Sequence, residues 1–293
     1  MKILTFDIGG TNIKYALCNE KFEISEEHSI PTNAEQGGQV IINRIIEIIK
    51  TFDGLDRVAI STAGQVDNKN GIVVFSTNDI PYYTGMMVKK IVQSKTGIPT
   101  FLENDTNAAA LGEHKFGAAR GAESFVYLNF GTGIGGAIYI NNELYTGSNS
   151  CAGGFAHLIT HAGGRQCTCG GEGCYKQYAS ARALTQAVEK ATGKTLNGFE
   201  IFDKENFENP EIRHVIDIWI DEIILGLKSI IYTFNPSLIV LGGGIMSEDY
   251  IIELIDRKIY KQLMENFRKV NIVNSKLGNQ AALLGVAYEA SNI

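Results

Sequence analysis

Two glycine-rich turns, each between two short apolar runs, are the feature that most constrains how this chain can fold. The first is Asp7-Ile8-Gly9-Gly10-Thr11 and the second is Gly131-Thr132-Gly133-Ile134-Gly135-Gly136. The flanking runs predict strand, turn, strand, whereas a Rossmann or Walker phosphate loop opens a helix. Glycine lets backbone N–H groups close around an anion, so both turns are predicted to bind phosphate. Their repetition indicates a duplicated domain with a nucleotide in the cleft between the copies.

The chain has no linker rich in Pro, Gly or Ser between its halves, so we place a hinge inside a compact body near residue 118. The predicted domains are 1–118 and 119–293, with the last helix packing back on the first domain. In the second domain, Pro210 opens a long apolar-periodic helix that ends before Asn235. A buried strand then leads into Gly242-Gly243-Gly244, whose backbone is predicted to lie against the base or ribose of the nucleotide.

Composition restricts the class of protein. Charged residues make up 20% of the 293 residues, the formal net charge is −6, and a long Lys/Arg stripe is absent from the sequence. Nucleic acid is therefore not an expected partner. The sequence also lacks a signal-peptide pattern and an apolar run of membrane-spanning length, which favours the cytoplasm over a membrane.

Three cysteines and one histidine predict a metal site. Cys167, Cys169 and Cys174 lie within eight residues, and His157 precedes them. Thiolates with one imidazole make a closed tetrahedral zinc site, so Zn²⁺ is expected to be structural. His161 is an alternative to His157 as the fourth ligand.

Asp105 is the predicted proton acceptor. It stands in Glu103-Asn104-Asp105, after a short strand and before an alanine-rich helix. A carboxylate at a strand end beside a cleft is placed to accept a proton from a substrate hydroxyl, as phosphoryl transfer requires. The alternative is that Asp105 only caps the helix.

Asp7 and Lys14 flank the first glycine turn. Asp7 is predicted to hold Mg²⁺ through water while the loop amides and the Thr11 hydroxyl face phosphate, unless it is only a turn residue. Lys14 is either a point charge near the phosphates or an exposed strand residue.

Found together and in this order, these motifs resemble the ROK family (repressors, open reading frames, kinases), a branch of the actin-like and hexokinase-like ATPases. The resemblance is carried by Asp7 to Lys14, by Glu103-Asn104-Asp105, by the second glycine turn and by the cysteine cluster. It implies a two-domain α/β fold, actin-like and ribonuclease H-like, with the active site in the interdomain cleft. It also implies ATP-dependent phosphorylation of a hexose or N-acylhexosamine, usually at O6, with ATP, Mg²⁺ and structural Zn²⁺ as ligands and a homodimer as the assembly.

The resemblance assigns roles to residues of both predicted domains. Asp105 is the implied base, and His157 is both a zinc ligand and a sugar neighbour. The residues expected to bind ATP and Mg²⁺ are Asp7, Gly9, Gly10, Thr11, Asn12, Lys14, Gly131, Thr132, Gly133, Gly135, Gly242, Gly243 and Gly244. The residues expected to bind the sugar are Gly64, Asn78, Asn104, Asp105, Gly154 and His157.

Two positions depart from the family pattern. Gly154 and Lys176 stand where the family usually has sugar-facing Glu residues. Losing two carboxylates argues against an ordinary glucokinase, and the room left at Gly154 favours a bulkier or substituted sugar. N-acetylmannosamine is the favoured substrate, with glucose, fructose or a β-glucoside as alternatives. A sugar-binding protein without turnover is the alternative from another class.

Overall fold

The computed structural model describes the backbone of residues 1–293 and every side chain except that of Asp249. Its strands and helices, in chain order, are β1 (Ile3–Ile8), β2 (Asn12–Cys18), β3 (Ile24–Pro31), α1 (Gly38–Ile49), β4 (Arg57–Thr62), β5 (Gln65–Asp67), β6 (Ile72–Phe75), α2 (Val88–Thr96), β7 (Thr100–Asn104), α3 (Asp105–Phe116), β8 (Phe125–Phe130), β9 (Ile134–Ile140), β10 (Glu143–Leu144), α4 (Lys176–Ala179), α5 (Ala181–Thr192), α6 (Lys204–Phe207), α7 (Pro210–Phe234), β11 (Leu238–Gly242), α8 (Asp249–Ile259), β12 (Asn271–Asn274) and α9 (Ala281–Ala290).

The chain divides into two compact units. The first contains Met1–Gly121, Thr146–Ala152 and Asn279–Ile293. The second contains Ala122–Tyr145 and Gly153–Gly278. Helix α9, the last of the chain, therefore belongs to the first unit. The hinge near residue 118 stays a prediction.

The main sheets of the two units have the same topology. In the first unit the strand order is β3-β2-β1-β4-β7, with β1, β4 and β7 parallel and with β2 antiparallel to both of its neighbours. In the second unit the order is β10-β9-β8-β11-β12, and the directions repeat strand for strand. This repetition confirms the duplicated α/β topology that the paired glycine turns predict.

The apolar pattern of the sequence explains the elements around these sheets. Ile3, Leu4, Phe6 and Ile8 of β1 are all buried, as expected of a central strand covered on both faces. In the second unit, α7 begins after the Asn209 cap and ends at Phe234, before the C-cap Asn235, which adopts a left-handed conformation with φ 44°. The predicted bounds of this helix are thereby confirmed. None of the described helices combines the length and apolarity that a membrane crossing requires.

Helices α3 and α9 of the first unit cross in backbone contact. A Cβ atom at Gly112 of α3 would collide with the carbonyl oxygen of Ala281, and one at Gly285 of α9 would collide with that of Ala108. Glycine at both positions is therefore required by the close approach of the helices. Because Asp105 is the first residue of α3, this crossing fixes the helix that presents it.

Gly112→Ala is expected to destabilise the protein by about 1–3 kcal/mol, because the new methyl group overpacks the crossing of α3 and α9. In an uncrowded helix, Gly to Ala stabilises the fold by about 1 kcal/mol. The change in stability expected here is therefore opposite in sign to the one that helix propensity alone predicts. Thermal unfolding measures the difference. An unchanged or higher Tm would show that the two helices do not cross this closely.

Candidate active site

The first glycine turn joins β1 to β2 and is closed by a hydrogen bond of 3.0 Å from the Gly9 N–H to the Asn12 carbonyl. Gly10, Thr11 and Asn12 are exposed, and a Cβ atom at Gly10 would have no neighbour within 4 Å. The turn therefore presents its backbone to solvent rather than to the core.

Asp7 lies in β1 directly opposite Lys14 of β2. The Ser61 hydroxyl donates to Asp7 Oδ1 at 2.7 Å, and Lys14 Nζ donates to Asn279 Oδ1 at 2.8 Å. Burial raises the pKa of Asp7, while the Ser61 hydrogen bond and the Lys14 charge act in the opposite direction. Ser61 is a positioning group that the sequence analysis missed, since its contact with Asp7 comes from the pairing of β1 with β4.

Asn104 is the N-cap of α3 and Asp105 is its first residue. Asn104 Oδ1 accepts from the backbone N–H groups of Thr106 and Asn107, both at 3.0 Å. Its Nδ2 donates to the Gly64 carbonyl at 2.7 Å and to Asp105 Oδ1 at 2.9 Å. The amide of Asn104 thus connects the helix cap, the loop at Gly64 and the Asp105 carboxylate.

The hydrogen bonds that the structure shows to Asp105 all go to Oδ1. Its donors are Asn104 Nδ2 and the Thr106 N–H, the latter at 2.7 Å, with the Thr106 hydroxyl at 3.3 Å. This arrangement leaves Oδ2 for an incoming hydroxyl group. Burial, and secondly the negative charge of Asp7, raise the pKa of Asp105 to about 6, against the effect of the hydrogen bonds. A carboxylate with such a pKa is a competent general base near neutral pH.

Glu103, the residue before these two, is fully buried and was given no role in the sequence analysis. Its Oε1 accepts from the Asn104 N–H at 2.8 Å and from Asn107 Nδ2 at 3.1 Å, and its Oε2 accepts from Asn68 Nδ2 at 2.7 Å. Burial raises the pKa of Glu103. Glu103 therefore links Asn68, the residue after β5, to the start of α3.

Two further predicted sugar-binding residues lie in loops of the first unit. Gly64 has φ +102° and presents its carbonyl to Asn104, so its conformation requires glycine. Asn78 is exposed in the loop between β6 and α2. The structure joins Gly64 to Asn104 by a hydrogen bond and leaves Asn78 at the surface.

The second glycine turn joins β8 to β9, and Thr132 at its tip is exposed. The Gly131 carbonyl accepts from the Ala181 N–H at 3.0 Å, which holds the start of α5 against the turn. Strands β8 and β11 are parallel neighbours. The second glycine turn and the triple glycine 242–244 therefore follow the carboxyl ends of adjacent strands, at the same end of the sheet. A Cβ atom at Gly243 would collide with the Phe130 carbonyl. The triple glycine is therefore in backbone contact with Phe130, the residue that precedes the second glycine turn.

Gly154 lies just before a short 3₁₀ turn, Phe155–His157. Its φ is −66°, which any residue can adopt, and a Cβ atom there would have no neighbour within 4 Å. The backbone and its surroundings would therefore accept a larger side chain at position 154. Lys176, the other departure from the family pattern, donates from Nζ to the Thr168 hydroxyl at 3.0 Å.

The predicted metal ligands form one group. The ligand atoms of His157, Cys167, Cys169 and Cys174 all lie within 4.8 Å of one another. The Cys169 and Cys174 sulfurs are 3.6 Å apart, and Cys167 Sγ is 3.8 Å from His157 Nδ1. Tetrahedral zinc, with Zn–S bonds of about 2.3 Å, requires separations close to these, so the donor set fits zinc.

His161, the alternative fourth ligand, is engaged elsewhere. Its ring stacks on Tyr178 with centroids 4.0 Å apart. Its Nε2 lies 3.5 Å from Glu222 Oε1. The geometry therefore favours His157 as the fourth member of the group.

Comparison with known proteins gives similarity over nearly the whole chain. The model of the ROK family matches residues 3–292. A glucokinase from Streptomyces coelicolor is 32% identical, with 96% of this chain and 95% of the relative covered. A beta-glucoside kinase from Listeria monocytogenes is 31% identical, with 98% and 97% covered.

Similarity extends to solved structures. The crystal structure of a ROK family glucokinase from Streptomyces griseus in complex with glucose and AMPPNP has a TM-score of 0.88 at 28% identity, with 100% of each chain covered. The actin-like α/β fold class implied by the sequence resemblance is thereby confirmed.

Asp105→Asn is expected to lower turnover by about 100-fold or more, because an amide cannot accept the proton of a substrate hydroxyl. It is also expected to raise the Tm at about pH 8. The raised pKa of Asp105 means that the folded state binds this proton more tightly than the unfolded state, so stability is lost as pH rises through about 6. The gain in Tm should therefore disappear toward about pH 4.

Asp67→Asn is the matched control, because hydrogen bonds from Asn70 lower the pKa of Asp67. This variant should gain no stability at about pH 8. Initial rates and thermal unfolding across this pH range give both readouts. Near-native turnover in Asp105→Asn would exclude Asp105 as the base.

Metal analysis should find about one zinc ion per chain, and Cys169→Ser should lower both zinc content and Tm, because a closed site couples metal binding to folding. His161→Ala is the control that should retain zinc. Loss of zinc in His161→Ala together with its retention in His157→Ala would reverse the ligand assignment.

Proposed function

The chain belongs to the ROK family and is an ATP-dependent sugar kinase; from this premise we propose that it transfers the γ-phosphate of ATP to the O6 hydroxyl of a hexose or N-acylhexosamine, with N-acetylmannosamine favoured. The observation that carries the proposal is the Asp105 carboxylate. It is half-buried, its pKa is raised to about 6, and its Oδ2 lies outside its protein hydrogen bonds.

The reaction follows from that arrangement. The substrate hydroxyl gives its proton to Asp105 Oδ2 while its oxygen attacks the γ-phosphorus, and the bond from phosphorus to the ADP oxygen breaks. Asn104 holds Asp105 in position through its Nδ2. This step needs a group that is unprotonated at neutral pH but still basic, which the raised pKa of Asp105 provides.

Each unit contains one glycine turn that could bind phosphate groups. The exposed backbone at Gly10 and Thr11 and that around Thr132 present amide groups without a covering side chain. Asp7 would hold Mg²⁺ through water, and the ion would neutralise charge on the phosphate oxygens. Lys14, opposite Asp7 on β2, adds a positive charge beside the same turn.

Zn²⁺ has a structural role in this proposal. The three cysteines and His157 fill a tetrahedral shell, so the ion has no position for a reacting water. Its function is to fix the segment that carries His157. Gly154 lies three positions before that histidine, as the N-cap of the same short turn.

Gly154 supports the preference for a substituted sugar. A hydroxyl group that lacks its carboxylate partner loses a charge-assisted hydrogen bond worth about 1.5–3 kcal/mol. Free glucose should therefore bind weakly, whereas an N-acetyl group can fill the open space beside Gly154. A β-glucoside is the second candidate, because its aglycone would use the same space and a relative that is 31% identical is named a beta-glucoside kinase.

A coupled assay of ADP formation across hexoses, N-acylhexosamines and β-glucosides tests the function. We expect sugar-dependent ADP formation with kcat/KM highest for N-acetylmannosamine. Sugar binding without ADP formation would show the non-catalytic alternative. A wide preference for glucose would refute the argument from space at Gly154.

Gly154→Glu should shift the ratio of kcat/KM toward glucose over N-acetylmannosamine by roughly 10-fold or more, because it restores a carboxylate and fills the space. Gly154→Gln is the matched control, since it has the same volume without the charge and should shift the ratio less. Equal shifts in the two variants would show that volume alone decides specificity.

A further inference from the structure

The second unit has an exposed aromatic side chain outside the candidate active site described above, that of Phe199. Phe199 is 63% exposed and lies just before a 3₁₀ turn, Glu200–Phe202. Asn197 Oδ1 accepts from the N–H groups of Phe199 and Glu200 at 2.9 and 3.0 Å. Glu200 Oε2 accepts from the Asn197 N–H at 2.7 Å. These reciprocal bonds form a capping box, so the backbone that carries the ring is fixed.

This segment packs against the triple glycine 242–244 and the residue after it. A Cβ atom at Gly244 would lie 3.0 Å from Cζ of the Phe199 ring, and one at Gly198 would lie 3.6 Å from Ile245 Cδ1. Gly243 in turn abuts the carbonyl of Phe130, the residue before the second phosphate turn. Continuous contacts therefore lead from that turn through the triple glycine to an exposed aromatic face.

We propose that Phe199 sets the preference for a nucleotide as phosphoryl donor by stacking on its purine base. The proposal rests on the ATP-dependent transfer proposed above. A triphosphate at the second glycine turn leaves its base to be held nearby, and the triple glycine has no side chains to obstruct it. Stacking on an aromatic ring recognises the π-face that all bases share. The ring should therefore increase the affinity for a nucleotide over that for a donor without a base, such as inorganic tripolyphosphate. It should discriminate less between ATP and GTP, because both have a base that can stack.

Calorimetric titration of native protein and of Phe199→Ala with ATP and with tripolyphosphate, each with Mg²⁺, tests this role. Phe199→Ala should bind ATP about 10-fold more weakly. Its affinity for tripolyphosphate should stay within about 2-fold of native, because that ligand has no base to stack. Phe199→Tyr, which keeps a ring, is the matched control and should bind ATP like the native protein.

Phe199→Trp gives a spectroscopic readout of the same contact. ATP should quench the new indole fluorescence and tripolyphosphate should not, measured against native protein, whose Trp219 is buried. Unchanged ATP affinity in Phe199→Ala, or a quenching response equal for both ligands, would overturn the stacking role. Native protein that fails to bind ATP would instead refute the proposed function itself.

Discussion

The junction between β7 and α3 orders the polar groups on which the candidate active site depends. The side chains of the three successive residues Glu103, Asn104 and Asp105 lie in three different environments. Glu103 is buried and accepts a hydrogen bond from Asn68, Asn104 caps the helix, and Asp105 keeps Oδ2 outside its protein hydrogen bonds. Removing carboxylates from water is unfavourable, which is why burial raises the pKa of both Glu103 and Asp105. Burial at this junction thus lowers the stability of the folded state near neutral pH and leaves Asp105 with a pKa of about 6.

The repeated sheet explains why one kind of turn occurs twice. In each unit the glycine turn follows the central strand, β1 or β8, and leads into an antiparallel neighbour. A turn at that point needs no helix to begin after it, so its amides remain available to an anion. Other features then differ between the units. The first adds the acidic junction at Asp105, and the second adds the metal group and the triple glycine.

Local features of the sequence predicted much of this arrangement. The strand, turn, strand pattern at both loops, the Pro210 start of α7 and the grouping of three cysteines depend on neighbouring residues, and the structure shows them as predicted. The alternative that Asp105 caps α3 was wrong: the structure shows Asn104 in that position, and both residue types favour an N-cap.

Contacts between distant segments were beyond the reach of the sequence alone. The hydrogen bond of Ser61 to Asp7 depends on strand pairing, and the contact of Phe199 with Gly244 depends on how a long connection packs. The roles of Glu103 and of the glycines where α3 crosses α9 were missed for the same reason. A signal for Glu103 did exist, since a charged residue at a buried strand position requires partners.

The position of the transferred phosphate is the most direct test that the acceptor is the O6 hydroxyl of the sugar. Phosphorus NMR of the product formed from ATP and the best sugar substrate locates it. We expect coupling of phosphorus to the two protons on C6. Coupling to the anomeric proton instead, or the absence of any sugar phosphate, would contradict this expectation.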